Sequence, residues 1–319
     1  MKSDWKMKTD RAFLIFPGLV AMLLFASCQG ERKETPTKGH VDVLAAESVS
    51  PMVRDEVEKF ESLYPDAHVT LSVTSTREAI TRLFNDTIKV IVTSRALNQE
   101  ERDVAKRYNL TFGEFKIAID GIAVITNVEN PLTQLRTTQL DSILNGSETS
   151  WPSPGGRKQD GGLIELCLPD RNSGTYEVVA ARILHGGSFA EPAKVANSSP
   201  EMIQYVAAHP HALGLLGMNW LNANKDRVKA LELADPDAPD SLGTRGKYFS
   251  PHPAYVYQRF YPITRGIYIY SRADAFSVGN GFLGFVNNSE GQKIIQNAGL
   301  VPATMPVRLV QVTGQNVGQ

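Results

Sequence analysis

Leu163-Ile164-Glu165-Leu166-Cys167-Leu168, then Pro169-Asp170-Arg171-Asn172-Ser173-Gly174-Thr175, then a run from Tyr176 to Leu184: residues 163–184 read as an apolar strand, a small-residue turn and a helix. A strand that feeds a turn at a helix N-terminus makes an anion site, because the first N–H groups of the helix lack partners and the helix dipole points the same way. Ser173 and Thr175 add hydroxyl donors, Gly174 lets the backbone come close, and Arg171 offers a planar fork for an oxyanion. On this stretch alone, a helix capped by Asn and Ser beside a solvated arginine explains the residues equally well. Turns of the same kind elsewhere in the chain tip the balance.

The first follows the short apolar strand Val41 to Ala46, as Glu47-Ser48-Val49-Ser50-Pro51. Pro51 suits the first helical position and Ser50 the cap, and Val53, Val57, Phe60 and Tyr64 recur at helical spacing. His68 to Thr74 alternates as a strand, and Ser75-Thr76-Arg77-Glu78 is a capping box that opens a helix through Phe84. A strand from Ile88 to Val92 then ends in Thr93-Ser94-Arg95, after which Asn98 and Glu101 cap another helix. Hydroxyl residues therefore recur at strand-to-helix turns, together with arginine in two of them.

Phe115 to Thr126 reads as a long apolar strand pair interrupted at Asp120-Gly121, and a helix near Gln139 to Leu144 ends at Asn145-Gly146. Ser147 to Gly162 and Asp235 to Gly246 are Pro-, Gly- and Asp-rich and read as exposed loops. Ser199-Pro200 starts a helix, Ala212 to Leu216 and Ile263 to Tyr270 are strands, and two helices close the chain. Strands alternating with helices imply parallel α/β sheets, whose ligands sit beyond the carboxyl ends of the strands. Such turns converge on one ion only if two lobes face each other, which a two-lobed binding protein provides.

Composition fits that size and class. The 319 residues are 42% hydrophobic and 21% charged, ordinary for a globular chain long enough for two lobes. The net charge of −1 and the lack of a basic stripe with interleaved aromatics argue against nucleic acid as a partner. At the N-terminus Lys2, Lys6, Lys8 and Arg11 precede an apolar run from Ala12 to Ala26, and small residues stand directly before Cys28. This layout resembles a bacterial lipoprotein signal over residues 1–27, with Cys28 lipidated and residues 28–39 a tether. Losing four basic and two acidic residues with the leader would move the charge from −1 to about −3. Cys167, the other thiol, lies in an apolar strand and reads as a buried small hydrophobe, so no internal disulfide is expected.

Taken in order, Phe60-Glu61-Ser62-Leu63-Tyr64-Pro65-Asp66-Ala67, Ile91-Val92-Thr93-Ser94-Arg95-Ala96-Leu97, Ile119 to Ile125 with Asn130-Pro131, Asn172-Ser173-Gly174-Thr175, Tyr261-Pro262-Ile263-Thr264-Arg265 and Gly299-Leu300-Val301-Pro302 resemble the phosphate-binding periplasmic proteins of ABC transporters, in particular the lipoprotein forms of Bacteroidota. The resemblance covers about residues 40–310. It implies a type II-like periplasmic-binding-protein fold, with lobe 1 at 40–119 plus 264–319, lobe 2 at 120–263, and the ligand cleft between them. It further implies that Ser48, Ser94, Ser173, Gly174 and Thr175 hold phosphate. Better-known relatives carry an arginine where this chain has Pro169, and often an aspartate where it has Arg95, so Arg95 or Arg171 is expected to supply the cation. Glu47, Asp120 and Asp170 are the candidate acceptors for the ligand's proton, which a fully ionised sulfate lacks.

An enzyme is not expected. The six histidines show no metal-ligand spacing, and Ser173 lacks both a Gly-x-Ser-x-Gly elbow and a histidine placed to activate it. The expectation is a monomeric, lipid-anchored receptor in the periplasm or cell envelope that needs no cofactor or metal and hands phosphate to an inner-membrane ABC permease. A receptor for another oxyanion, a sensor or scavenger without a permease, and a Ser-dependent phosphoester hydrolase are the alternatives.

Overall fold

A computed structural model describes Met1 and residues 34–151 and 162–304. The leader, Cys28, the first half of the expected tether, the middle of the Ser147–Gly162 loop and the C-terminal residues lie outside the described residues. Thr35 and Lys38 bond to each other through their backbones, and Gly39 already opens the first strand, inside the stretch expected as tether.

In chain order the elements are β1 (Gly39–Ala46), α1 (Ser50–Leu63), β2 (Ala67–Thr74), α2 (Thr76–Phe84), β3 (Val90–Thr93), α3 (Gln99–Arg107), β4 (Gly113–Asn127), β5 (Gln134–Arg136) and α4 (Thr137–Leu144). They continue with β6 (Glu165–Pro169), α5 (Gly174–Arg182), β7 (Lys194–Ala196), α6 (Ser199–Ala208), β8 (Ala212–Gly217), β9 (Val228–Ala230), β10 (Glu232–Ala234) and β11 (Tyr248–Phe249). The chain then forms α7 (Pro253–Tyr257), β12 (Thr264–Ser271), α8 (Val278–Asn287), α9 (Ser289–Asn297) and β13 (Val301–Pro302).

Sheet order is β2-β1-β3-β12-β4-β8-β6-β7, with β9 and β13 also on β4, and β11-β10-β5 forms a small separate sheet. The expectation of parallel sheets holds only at the two ends, where β1, β2 and β3 pair in parallel, as do β6, β7 and β8. The middle is antiparallel: β12 runs against both β3 and β4, and β4 against β8. The expected strand pair broken at Asp120-Gly121 is one 15-residue strand, β4. No turn interrupts it because Asp120 is buried against an arginine opposite, and Gly121 gives room to Val256 and Tyr261. Along β4 the partner changes, from β12 up to Gly121 to β8 from Ile122 onward. One strand thus passes from one half of the two-lobed fold to the other.

One apolar cluster runs through both halves and a second lies within the second half alone. In the first, Phe60 of α1 meets Phe282 of α8 edge-on at 5.6 Å over the Val43 and Val92 face of the sheet. In the second, Ile203 and Val206 of α6 pack on Ile125, Leu216 and Cys167. Burial drives the Cys167 thiol up to about 12, which suits a packed side chain and not a nucleophile.

Candidate functional site

Several helical N-termini open onto one cavity of about 330 Å³ between the halves. Each arises from a local signal in the sequence. Ser75, Ser173 and Ser198 cap α2, α5 and α6 by accepting the N–H of Glu78, Tyr176 and Glu201. The short 3-10 turn Glu47–Val49 leads into α1 from the end of β1, with no side-chain cap. Ser48, Thr76, Gly174, Thr175 and Ser199 all line the cavity at these starts, so first-turn N–H groups and helix dipoles from both halves point into one space. Gly174 is required by closeness: a Cβ there would overlap Ser94 Oγ and reach 3.0 Å from Thr76 Oγ1.

Behind the cavity wall sits a buried cation. Arg265 Nε and Nη2 donate to Asp120 Oδ2 at 2.9 and 2.6 Å, and Arg265 Nη1 donates to Thr175 Oγ1 at 2.7 Å. Asp120 Oδ1 accepts the N–H of Met218 at 3.1 Å. Burial pushes the Asp120 carboxyl up, and Arg265 together with the Met218 and Gly121 N–H groups opposes it. Gly217, which lines the cavity, is what brings this group to the wall, since a Cβ on it would lie 2.9 Å from both Arg265 Nη2 and Asp120 Oδ2. With Oγ1 accepting from arginine, the Thr175 hydroxyl is left to donate its proton elsewhere.

The halves are also tied across the cavity. Glu47 accepts the Ser199 N–H at 2.7 Å and the Ser199 hydroxyl at 3.0 Å, and burial raises its carboxyl while the Ser199 bonds and Arg265 pull it down. The Ser48 carbonyl accepts from Asn219 Nδ2 at 3.2 Å and Trp220 Nε1 at 3.0 Å. Further out, Arg77 donates its N–H to the Asn172 carbonyl, and its side chain meets Glu177 at 2.7 Å.

Of the residues expected from sequence, Ser48, Ser173, Gly174, Thr175, Glu47 and Asp170 line the cavity. Ser94 stands just behind it, with its hydroxyl 3.0 Å from Thr76 Oγ1. Asp170 helps build the turn, its Oδ1 accepting the Asn172 N–H. Neither expected cation, Arg95 or Arg171, lines the cavity. Arg95 donates to Glu101 at 2.7 and 2.8 Å and pairs through Nε with Glu177, because the capping box of α3 holds the Glu101 carboxylate within reach. Arg171 occupies a corner of the turn closed by the Ser173 N–H to the Asp170 carbonyl and points to an outer groove that it shares with Arg77 and Arg95. Arg265 took neither role in the sequence reading, although a signal was there. It alternates with Ile267 and Ile269 on the buried side of β12, and a charge on a strand's core face calls for a partner. Thr76 and Ser199 line the cavity as well, though neither is among the ligand contacts expected from sequence.

The architecture is a two-lobed α/β fold with its cavity where the lobes meet. Residues 30–290 match the family model of the PBP superfamily domain, and the chain belongs to that superfamily. Among curated proteins it is similar to the phosphate-binding protein PstS of Staphylococcus saprophyticus, 26% identical over 287 residues that cover 88% of this chain and 86% of that one. PstS of Staphylococcus aureus is 25% identical over 292 residues, covering 89% and 86%. Among solved structures it resembles a phosphate ABC transporter substrate-binding protein with bound phosphate from Clostridium perfringens, with TM-score 0.69, 22% identity, and 83% of this chain and all of that chain covered. An ABC-type phosphate transport receptor from Vibrio cholerae superposes with TM-score 0.62 at 23% identity, covering 83% and 100%.

Proposed function

We propose that this protein captures inorganic phosphate in the interlobe cavity and delivers it to an ABC-type permease of the inner membrane, without catalysing a reaction on it. The observation that carries the reading is the convergence of helix N-termini from both halves on a cavity backed by one buried arginine. Backbone N–H groups and dipoles favour an anion, the hydroxyls of Ser48, Ser173 and Thr175 add donors, and Arg265 supplies fixed positive charge behind Thr175. The names of the PstS relatives point to the same ligand. Closure of lobe 1 (40–119 plus 264–319) on lobe 2 (120–263) brings Ser48 and Thr76 against Ser173, Gly174 and Thr175, so binding and closure are one event. The proposed protein is monomeric and held to the membrane by lipid on Cys28.

Calorimetric titration of the soluble chain with phosphate, sulfate and other oxyanions is the direct test. Saturable binding of phosphate with one ion per chain supports the reading, and heat with another oxyanion but none with phosphate would sink it.

A further inference from the structure

The cavity is larger than an inorganic oxyanion needs. Its volume of about 330 Å³ falls at the small end of pockets that hold organic ligands, about 300–1,000 Å³, whereas an ion of five heavy atoms takes roughly the room of two waters at about 30 Å³ each. Nor is the space a gap that closure has still to remove. The lobes are already tied across it, by Glu47 to Ser199, by Asn219 and Trp220 to the Ser48 carbonyl and by Arg77 to Glu177. Besides the helix starts, the lining includes Ala46, Val73, Pro169, Ala196, Met202 and Leu215, none of which carries a side-chain donor for an anion.

That apolar side is held in place. Met202 Sδ accepts the Leu215 N–H at 3.2 Å, and a Cβ on Gly214 would lie 3.1 Å from Met202 Cγ, so the methionine is packed along β8 and does not swing in to fill the space. Val73 and Ala196 belong to β2 and β7, the two strands at the edges of the ten-stranded sheet, and Val73 is 43% exposed. The cavity therefore extends from the Gly174 turn to an opening at the sheet edges. An apolar wall gives a bare oxyanion no hydrogen bonds, but it covers a substituent of a few carbon atoms. Glu47 and Asp170 line the same space, so a second negative group on the ligand would meet a carboxylate.

We infer that the cavity also binds a phosphoryl group carrying a small neutral organic substituent, a phosphate monoester or a phosphonate; this rests on the phosphate reading above. Three phosphoryl oxygens keep the helix N-termini and the hydroxyls of Ser48, Ser173 and Thr175, and the fourth position carries the substituent along Met202 and Leu215 towards Val73.

The test titrates phosphate, glycerol 3-phosphate, propylphosphonate and 3-phosphonopropionate into the phosphate-free protein by calorimetry, then repeats the last three with phosphate present. Propylphosphonate has a P–C bond that releases no phosphate on ester hydrolysis, so its heat reports the intact ligand. Glycerol 3-phosphate and propylphosphonate are expected to bind within about tenfold of phosphate and to be displaced by it. The added carboxylate of 3-phosphonopropionate should weaken it at least about tenfold against propylphosphonate. Val73→Trp, which narrows the opening, should lower the propylphosphonate-to-phosphate affinity ratio about tenfold, and Val73→Phe serves if the tryptophan variant does not fold. Failure of both neutral compounds to compete at about a thousandfold excess over phosphate overturns the inference while phosphate binding stands. An unchanged ratio in the folded Val73 variants overturns it as well. A wild type that binds no phosphate removes the reading beneath it, and the inference with it.

Discussion

Arg265 and Asp120 stand directly opposite each other on β12 and β4 and close an ion pair at 2.6 Å in which the two side chains are 1% and 0% exposed. β4 is the strand that changes partner from one half to the other, and the pair on it reaches the cavity through Thr175. A buried pair contributes little beyond an apolar pair of the same shape, but breaking it by removing one partner strands the other charge.

Arg265→Met is therefore expected to cost about 3–5 kcal/mol of stability and to remove measurable phosphate binding. Restoring neutrality with Asp120→Asn in the same chain should recover stability, read from urea midpoints, while binding stays lost. Arg171→Ala, on the outer groove, should change affinity by less than about 1 kcal/mol. Tight phosphate binding by the double variant would show that Arg265 is a structural cation only.

Thr175→Val keeps the shape of the cavity wall and removes one hydroxyl. It deprives Arg265 Nη1 of its acceptor and the ligand of a donor. Phosphate affinity should fall roughly tenfold to a hundredfold, the scale of a hydrogen bond involving a charged group at about 1.5–3 kcal/mol, as measured by calorimetry.

Glu47 binds Ser199 across the cavity with both carboxylate oxygens, which makes it part of what holds the lobes together. Glu47→Ala should shift the free protein toward the open form, giving a larger radius of gyration by small-angle scattering, and phosphate should restore compactness. An unchanged radius without ligand would show that Glu47 does not contribute to closure.

Glu56, on α1, has both carboxyl oxygens buried with no hydrogen-bond partner among the described residues, and burial first, then Asp55, raises it to about 9. The folded state thus keeps a proton that the unfolded chain releases near its ordinary value of 4.5, so stability falls as pH rises between about 4.5 and 9. Glu56→Gln, which has no such proton, should melt like wild type near pH 4.5 and above it by pH 9. Parallel melting curves across that range would contradict the assignment.

Cys28→Ser tests the anchor, which lies outside the described residues. The variant should accumulate as an unprocessed precursor that takes up no labelled fatty acid, and normal labelling would end the lipoprotein reading.

Local chemistry was legible in the sequence wherever a few neighbouring residues decide it. Capping serines, Pro51, the Asn98–Glu101 box and the run of Val, Ile and Leu in each strand set helix starts and strands, because these depend on backbone hydrogen bonding and periodicity within one element. The turn at Ser173-Gly174-Thr175 could be read as an anion site for the same reason. Tertiary structure alone decided which charge stands behind it. Arg95 and Arg171 lay next to hydroxyl turns in sequence, yet each is drawn off, one by Glu101 and Glu177, the other by the corner of its own turn. Arg265 lies 90 residues from Thr175 and 145 from Asp120, and only the antiparallel crossing of β12 on β4 brings the three together. Which acceptors are spent, as Glu47 is on Ser199, is likewise a property of contacts between distant segments, since a side chain's partners are set by packing and not by its neighbours in the chain.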